Sequence, residues 1–153
     1  MTLISEKDAE HLRGEFEANL TNPVKMLMFT QTIECQFCTE TRQIAEEVAA
    51  LSDKITVEVY DFVTDKAIAD LYGVDKIPAI AIVRMEDGEE TDYGIRFYGI
   101  PSGYEFTSVI EDIMDVSNGD SGLQPKTKEA VAGIDDPVHL QVFITPTCPY
   151  CPQ

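Results

Sequence analysis

Apolar residues recur in this chain with two periods, and the alternation between them sets the element order. Leu12, Phe16 and Leu20 stand four apart, which predicts an amphipathic helix from Ser5 to about Leu20, capped by Ser5 and ended by Pro23. Val24 to Phe29 is almost wholly apolar and of strand length, as in a sheet covered on both faces. Thr39 to Leu51 places Ile44, Ala45, Val48 and Leu51 on one helical face. Ile55 to Tyr60 alternates and is β-branched, so it reads as a strand. A short helix follows from Thr64 to Leu71, with Thr64 as its cap and Gly73 beyond its end. Ala79 to Val83 is a second apolar strand, the Glu86–Glu89 stretch a turn, and Ile95 to Tyr98 the returning strand of a hairpin. Phe106, Val109, Ile110 and Ile113 mark a last helix, Ser102 to Val116. Met26, Met28, Phe97 and Tyr98 fall in these runs as core or sheet-face residues. The order is that of an α/β domain over residues 1–116.

Residues 117–125 (Ser-Asn-Gly-Asp-Ser-Gly-Leu-Gln-Pro) have linker composition. Beyond them the pattern restarts over residues 126–153, with a helix over Thr127–Ile134 and a strand over Val138–Ile144. The restart is a repeat. Pro23-Val24, an apolar strand and Cys35-Gln36-Phe37-Cys38 recur as Pro137-Val138, an apolar strand and Cys148-Pro149-Tyr150-Cys151. The two cysteine pairs are offset by 113 residues and the prolines by 114, which points to a duplicated unit. The second copy reads as the truncated beginning of a unit, so its cysteine pair is expected to be impaired.

The chain has 153 residues, of which 44% are apolar, enough to build a core. Acids outnumber bases 28 to 11, giving a net charge of −17. Such a surface repels phosphate and argues against nucleic acid or anionic membrane as a partner. The first eleven residues carry no basic and apolar leader, and no apolar run reaches the ~20 residues of a membrane helix, so a cytoplasmic location is expected. Four cysteines are too few for a disulfide-stapled scaffold.

Two cysteines three apart meet well when the first precedes a helix and the second lies in its first turn. The helix amides then favour the thiolate of the first. So small a loop stabilises little on closing, which suits a disulfide that opens and closes rather than a structural one. Structural zinc is the competing reading. However, Cys38 and Cys148 lie a whole domain apart, and His11 and His139 have no ligand-like spacing, so no metal is expected. Ile77-Pro78 stands at the head of an apolar strand. With Cys-x-x-Cys upstream in a βαβ unit, it is expected to be a cis peptide beside the cysteines, exposing the Ile77 backbone to an extended substrate.

Cys35-Gln36-Phe37-Cys38 after a strand, Ile77-Pro78 before one, and Gly94 to Gly99 in the returning strand resemble a thioredoxin-fold domain. Leu3-Ile4-Ser5, the run from Phe97 to Pro101, and the run from Thr145 to Pro152 resemble the protein disulfide oxidoreductases, or glutaredoxin-like proteins, of archaea and thermophilic bacteria. Those have two tandem thioredoxin-fold units. The resemblance implies a mixed four-stranded sheet flanked by helices, followed by the helix and strand that begin a second unit. It implies thiol–disulfide exchange on protein substrates, with no cofactor beyond the redox-active disulfides and with electrons from a thioredoxin-reductase-like flavoenzyme. Cys35 is then the attacking thiolate and Cys38 the buried resolving thiol, with Cys148 and Cys151 as a second pair. Gln36 and Phe37 tune Cys35 and the substrate's approach, or simply fill the helix entry. Glu34 is a solvated charge that disfavours the neighbouring thiolate if it acts at all. Asp61 is a strand-end turn residue in preference to a proton acceptor for Cys38. A redox-silent interaction module of the same fold is the alternative function.

Overall fold

The computed structural model describes residues 2–151. The elements are α1 (Glu6–Asn19), β1 (Val24–Thr30), α2 (Cys38–Ala49), β2 (Ile55–Asp61), α3 (Lys66–Leu71), β3 (Ala79–Glu86), β4 (Glu89–Tyr98), α4 (Tyr104–Asn118) and α5 (Pro125–Ala132). The strands form one mixed sheet in the order β2-β1-β3-β4. β1 and β2 are parallel, with Val24 opposite Ile55 and Thr30 opposite Asp61, while β3 runs antiparallel to both β1 and β4. The ends of β1 and β2, the head of β3 and the end of β4 therefore all emerge at one rim of the sheet.

Alternation along β1 sorts the core into two layers. Val24, Met26 and Met28 face α1, α2 and α4 and pack with Leu12, Phe16, Ile44, Val48, Ile110 and Ile113. Leu27 and Phe29 face the other way, toward Ala69 and Val74 around α3. Phe29 stacks on Tyr60, centroids 5.6 Å apart. Every residue from Met26 to Phe29 is fully buried, which is why the run carries no polar alternation.

Lys25, at the far end of β1 from the rim, reaches across its neighbours on the α3 face. Its ammonium lies 2.9 Å from Glu58 on β2 and 2.6 Å from Glu90 on β4. Tyr60 donates its hydroxyl to Glu58, and Tyr72 donates to Glu90. The hydrogen bond to Glu90, and then that to Glu58, raises the Lys25 pKa above its ordinary value. Tyr60 is pushed up to about 12 by its bond to Glu58, and Tyr72 to about 12 by burial and then Glu90.

Several boundaries differ from the pattern, and four of the differences have a local cause. α2 begins at Cys38 and not Thr39, because Phe37 adopts left-handed backbone (φ 66°) and turns the chain one residue earlier. β4 extends back to Glu89: its outer half is exposed and polar, and a register shift between Ala81 and Val83, opposite Gly94 at φ 86°, interrupts its alternation. α3 is capped at Asp65, one residue later than Thr64. α4 runs through Ser117 and Asn118, which composition assigns to the linker, and ends on Gly119 in left-handed conformation. Ser117 is wholly buried. Its hydroxyl donates to the Asn22 carbonyl at 2.6 Å and accepts the Thr21 N–H at 3.0 Å.

The expected strand over Val138–Ile144 does not form. A strand exists only with a partner to take its backbone groups, and this segment joins neither sheet edge. Leu140, Val142 and Phe143 stand exposed instead. The helix before it does form, as α5. Among the described residues, no helix is long and apolar enough to cross a membrane.

Candidate active site

Beyond β1 the chain leaves the rim as a short loop. Gln31 donates its amide to the Ile33 carbonyl (2.6 Å), Glu34 takes a left-handed conformation (φ 58°), and the loop turns into α2 at Phe37. This arrangement sets Cys35 ahead of the helix and makes Cys38 its first residue. Thr41, itself fully buried, locks the junction, with both its N–H (2.9 Å) and its hydroxyl (2.7 Å) bonded to the Phe37 carbonyl. The sequence reading missed Thr41; its one signal is a short polar residue in the first turn behind the cysteines.

Cys35 and Cys38 are joined by a disulfide with Cα atoms 5.6 Å apart. They are not equivalent. Cys38 is 2% exposed and belongs to the core, whereas Cys35 is half-buried and reachable from solvent. The N-cap residue of α2 is Phe37, whose side chain makes no capping bond to the first-turn amides. Glu34 and Gln36 are exposed, and Phe37 holds 46% of its surface to solvent.

Ile77-Pro78 is a cis peptide. Pro78 is buried and precedes Ala79, which pairs with Phe29 of β1, so it stands at the same rim as the cysteine loop. The Pro78 carbonyl accepts the Gly99 N–H at 2.9 Å, tying the head of β3 to the end of β4. Phe97 packs against the core, but Tyr98 is 40% exposed, with the Lys76 ammonium 5.5 Å from its ring centre. Asp61 closes the turn after β2. The amides of Thr64 and Val63 bind its carboxylate at 2.9 Å and hold its pKa low, as fits a turn residue.

Cys148 and Cys151 form a second disulfide, Cα atoms 5.5 Å apart, with both residues half-buried. The chain around it touches the first unit at Gly103, where a Cβ would stand 2.9 Å from the Pro146 carbonyl. The two motifs thus sit in unlike surroundings: one opens a twelve-residue helix, the other lies in turns.

No family model matches the chain. The structure of a protein disulfide oxidoreductase from Aeropyrum pernix is 31% identical, covers 97% of this chain and 62% of its own, and superposes with a TM-score of 0.83. The NTD_N/C domain of alkyl hydroperoxide reductase AhpF from Enterococcus faecalis is 28% identical, covers 97% of this chain and 69% of its own, with a TM-score of 0.80. In sequence, the alkyl hydroperoxide reductase AhpF of Staphylococcus epidermidis is 33% identical over 118 residues, which is 74% of this chain and 19% of the relative. An NADH dehydrogenase of Bacillus subtilis is 30% identical over 110 residues, 72% of this chain and 18% of the relative. The chain therefore spans about a fifth of the length of these curated relatives. It has the thioredoxin-like fold, and over almost its whole length it is similar to protein disulfide oxidoreductase and to the NTD_N/C domain of the alkyl hydroperoxide reductase AhpF.

Proposed function

We propose that the chain is a protein thiol–disulfide oxidoreductase working through Cys35 and Cys38. The observation that carries this reading is the asymmetry of the pair: a reachable sulfur ahead of a helix and a buried one at its first position, joined as a disulfide. In the reduced protein, the Cys35 thiolate attacks one sulfur of a substrate disulfide. A mixed disulfide forms and the substrate's other sulfur leaves as thiolate. Cys38, deprotonated, attacks the Cys35 sulfur, the mixed disulfide breaks, and the second substrate sulfur leaves and takes a proton. Two electrons pass to the substrate, and the Cys35–Cys38 bond is left behind. Run backward, the same steps oxidise a dithiol.

Ile77 and Pro78 at the head of β3, with Gln36 and Phe37 on the loop, are assigned to substrate contact, since they share the rim with Cys35. Cys148 and Cys151 are assigned as a second exchange pair, weaker than the first because the motif lies in turns and not at the head of a helix. A flavin disulfide reductase is the electron source, in keeping with the similarity to AhpF, and the reducing cytoplasm is the compartment in which such a disulfide cycles. Insulin reduction by dithiothreitol, followed as turbidity, tests the reading. The wild-type chain should accelerate precipitation and Cys35→Ser should not. A wild-type chain without effect would leave a redox-silent interaction module as the function.

A further inference from the structure

An open groove of about 680 Å³ lies between α1, α2, α4 and the loop before α4, away from the α3 face. Its floor is apolar: Leu12, Ile44, Ile100, Phe106, Ile110 and Met114. Its rim carries Asp8, Glu15, Glu40 and Glu111 with His11, and among the described residues no lysine or arginine lines it. Three of the rim acids, Asp8, Glu40 and Glu111, are exposed. Helices wall three sides, so the groove offers a trough to a rod-shaped ligand more readily than a strand edge. We propose that it seats an amphipathic cationic helix of a partner protein, with an apolar stripe on the floor and lysine or arginine on both flanks. The chain's own exposed apolar stretch from Val138 to Phe143 is the wrong sign for this rim, being preceded by Asp135 and Asp136 and carrying no lysine or arginine.

The groove also has a useful address. Glu40 stands two residues after Cys38, and Gly103, another lining residue, meets the carbonyl of Pro146, two residues before Cys148. A partner helix seated here is held between the two cysteine motifs. The inference is independent of whether those motifs exchange disulfides, because it concerns binding to the oxidised protein.

Fluorescence anisotropy on the oxidised 153-residue chain tests it, using a labelled Leu/Lys peptide of roughly four helical turns. A Leu/Glu peptide and a Ser/Lys peptide of equal length serve as comparators. The Leu/Lys peptide should saturate at one per chain, with the two comparators failing to saturate at 0.3 M salt, on the order of a 6 Å screening length. Glu40→Lys with Glu111→Lys should weaken it about tenfold or more, since two rim contacts turn from attractive to repulsive. Glu17→Lys with Asp53→Lys makes the same change in net charge outside the groove and should leave affinity unaltered. Equal weakening by both double variants would overturn the proposal in favour of diffuse acidity. So would tight binding of the Leu/Glu peptide, no binding of the Leu/Lys peptide, or sedimentation showing a wild-type dimer that the groove variant dissolves, which would make a second copy the occupant.

Discussion

Replacing Lys25 by Met keeps the length of the stem and removes only the ammonium. Two carboxylates, Glu58 on β2 and Glu90 on β4, are then left on one face of the sheet without the ammonium that bridges them over β1 and β3. Glu90 keeps 30% of its side chain exposed, and its charge-assisted bond to Lys25 is worth about 2 kcal/mol; Glu58, at 44%, is screened by water and adds about 1 kcal/mol. Met packing returns part of this, so the net loss should be about 2–3 kcal/mol, or roughly 5–10 °C in Tm for a chain of this size. Lys25 holds the Glu90 pKa below its ordinary value, and Tyr60 followed by Lys25 does the same for Glu58. Stability from carboxylates with lowered pKa is present above their unfolded value, about 4.5, and fades as pH falls through the folded value. The raised Lys25 contributes below its unfolded value, about 10.5, and that share fades as pH rises through the folded one. The deficit of Lys25→Met should thus be largest between pH 6 and 9, taken as roughly the window separating those two transitions, and should shrink on the acid side of pH ~4. Adding Glu58→Gln and Glu90→Gln should recover part of the loss, because an orphaned charge costs more than an absent pair. Urea unfolding across pH measures all of this. A deficit below about 0.5 kcal/mol, or one that does not change with pH, would refute the reasoning.

Cys38→Ser removes the resolving thiol and should stall exchange after the first step, leaving substrate linked to Cys35 through a mixed disulfide visible on a non-reducing gel; Cys35→Ser should leave no such adduct. Ser117→Ala should cost about 1–3 kcal/mol in urea unfolding, because the Thr21 amide and the Asn22 carbonyl both lose their buried partner. By the same contacts, a chain stopped at Val116 should be less stable than one stopped after Gly119, which moves the proposed domain end a few residues beyond 116. Burial, with Asp115 and Glu111 adding repulsion, pushes the Asp112 carboxyl up to about 6. A folded value above the unfolded one means that the charged form opposes folding, so Asp112→Asn should stabilise by about 1 kcal/mol above pH 6, after discounting for solvent, and by nothing once pH is below the unfolded value of 3.8.

How much of this is readable in the sequence depends on whether a feature is local. β1 announces itself because burial on both faces leaves an unbroken apolar run, and α1 and α4 because their apolar residues return at helical spacing. The cysteine junction is readable to within one residue; the difference lies at Phe37, whose left-handed turn is not a preference of phenylalanine and so leaves no mark in the sequence. β4 is half missed because Glu89 to Tyr93 is exposed and carries no burial signal; it is a strand by virtue of β3 alone. The segment from Val138 to Ile144 shows the converse. Its composition is that of β1 in the first unit, yet composition supplies only the faces of a strand and never its neighbours, so without a ladder the same pattern is an exposed coil.

The Lys25 network is invisible in the sequence for a related reason. Lys25, Glu58 and Glu90 are far apart along the chain, and they meet only because the parallel register of β1 with β2 and the antiparallel turn into β4 bring three strands to one face. The candidate site escapes this difficulty. Its two sulfurs are three residues apart, so strand, loop and helix place them by local rules, and long-range order is asked only to bring Pro78 to the same rim. A sheet whose central strand β1 ends at that rim does this automatically, since β3 pairs with β1 and must begin where β1 stops. The chemistry is therefore legible from a few residues, whereas partner choice is carried by the acid-rimmed groove, which needs three helices from both halves of the unit before it exists.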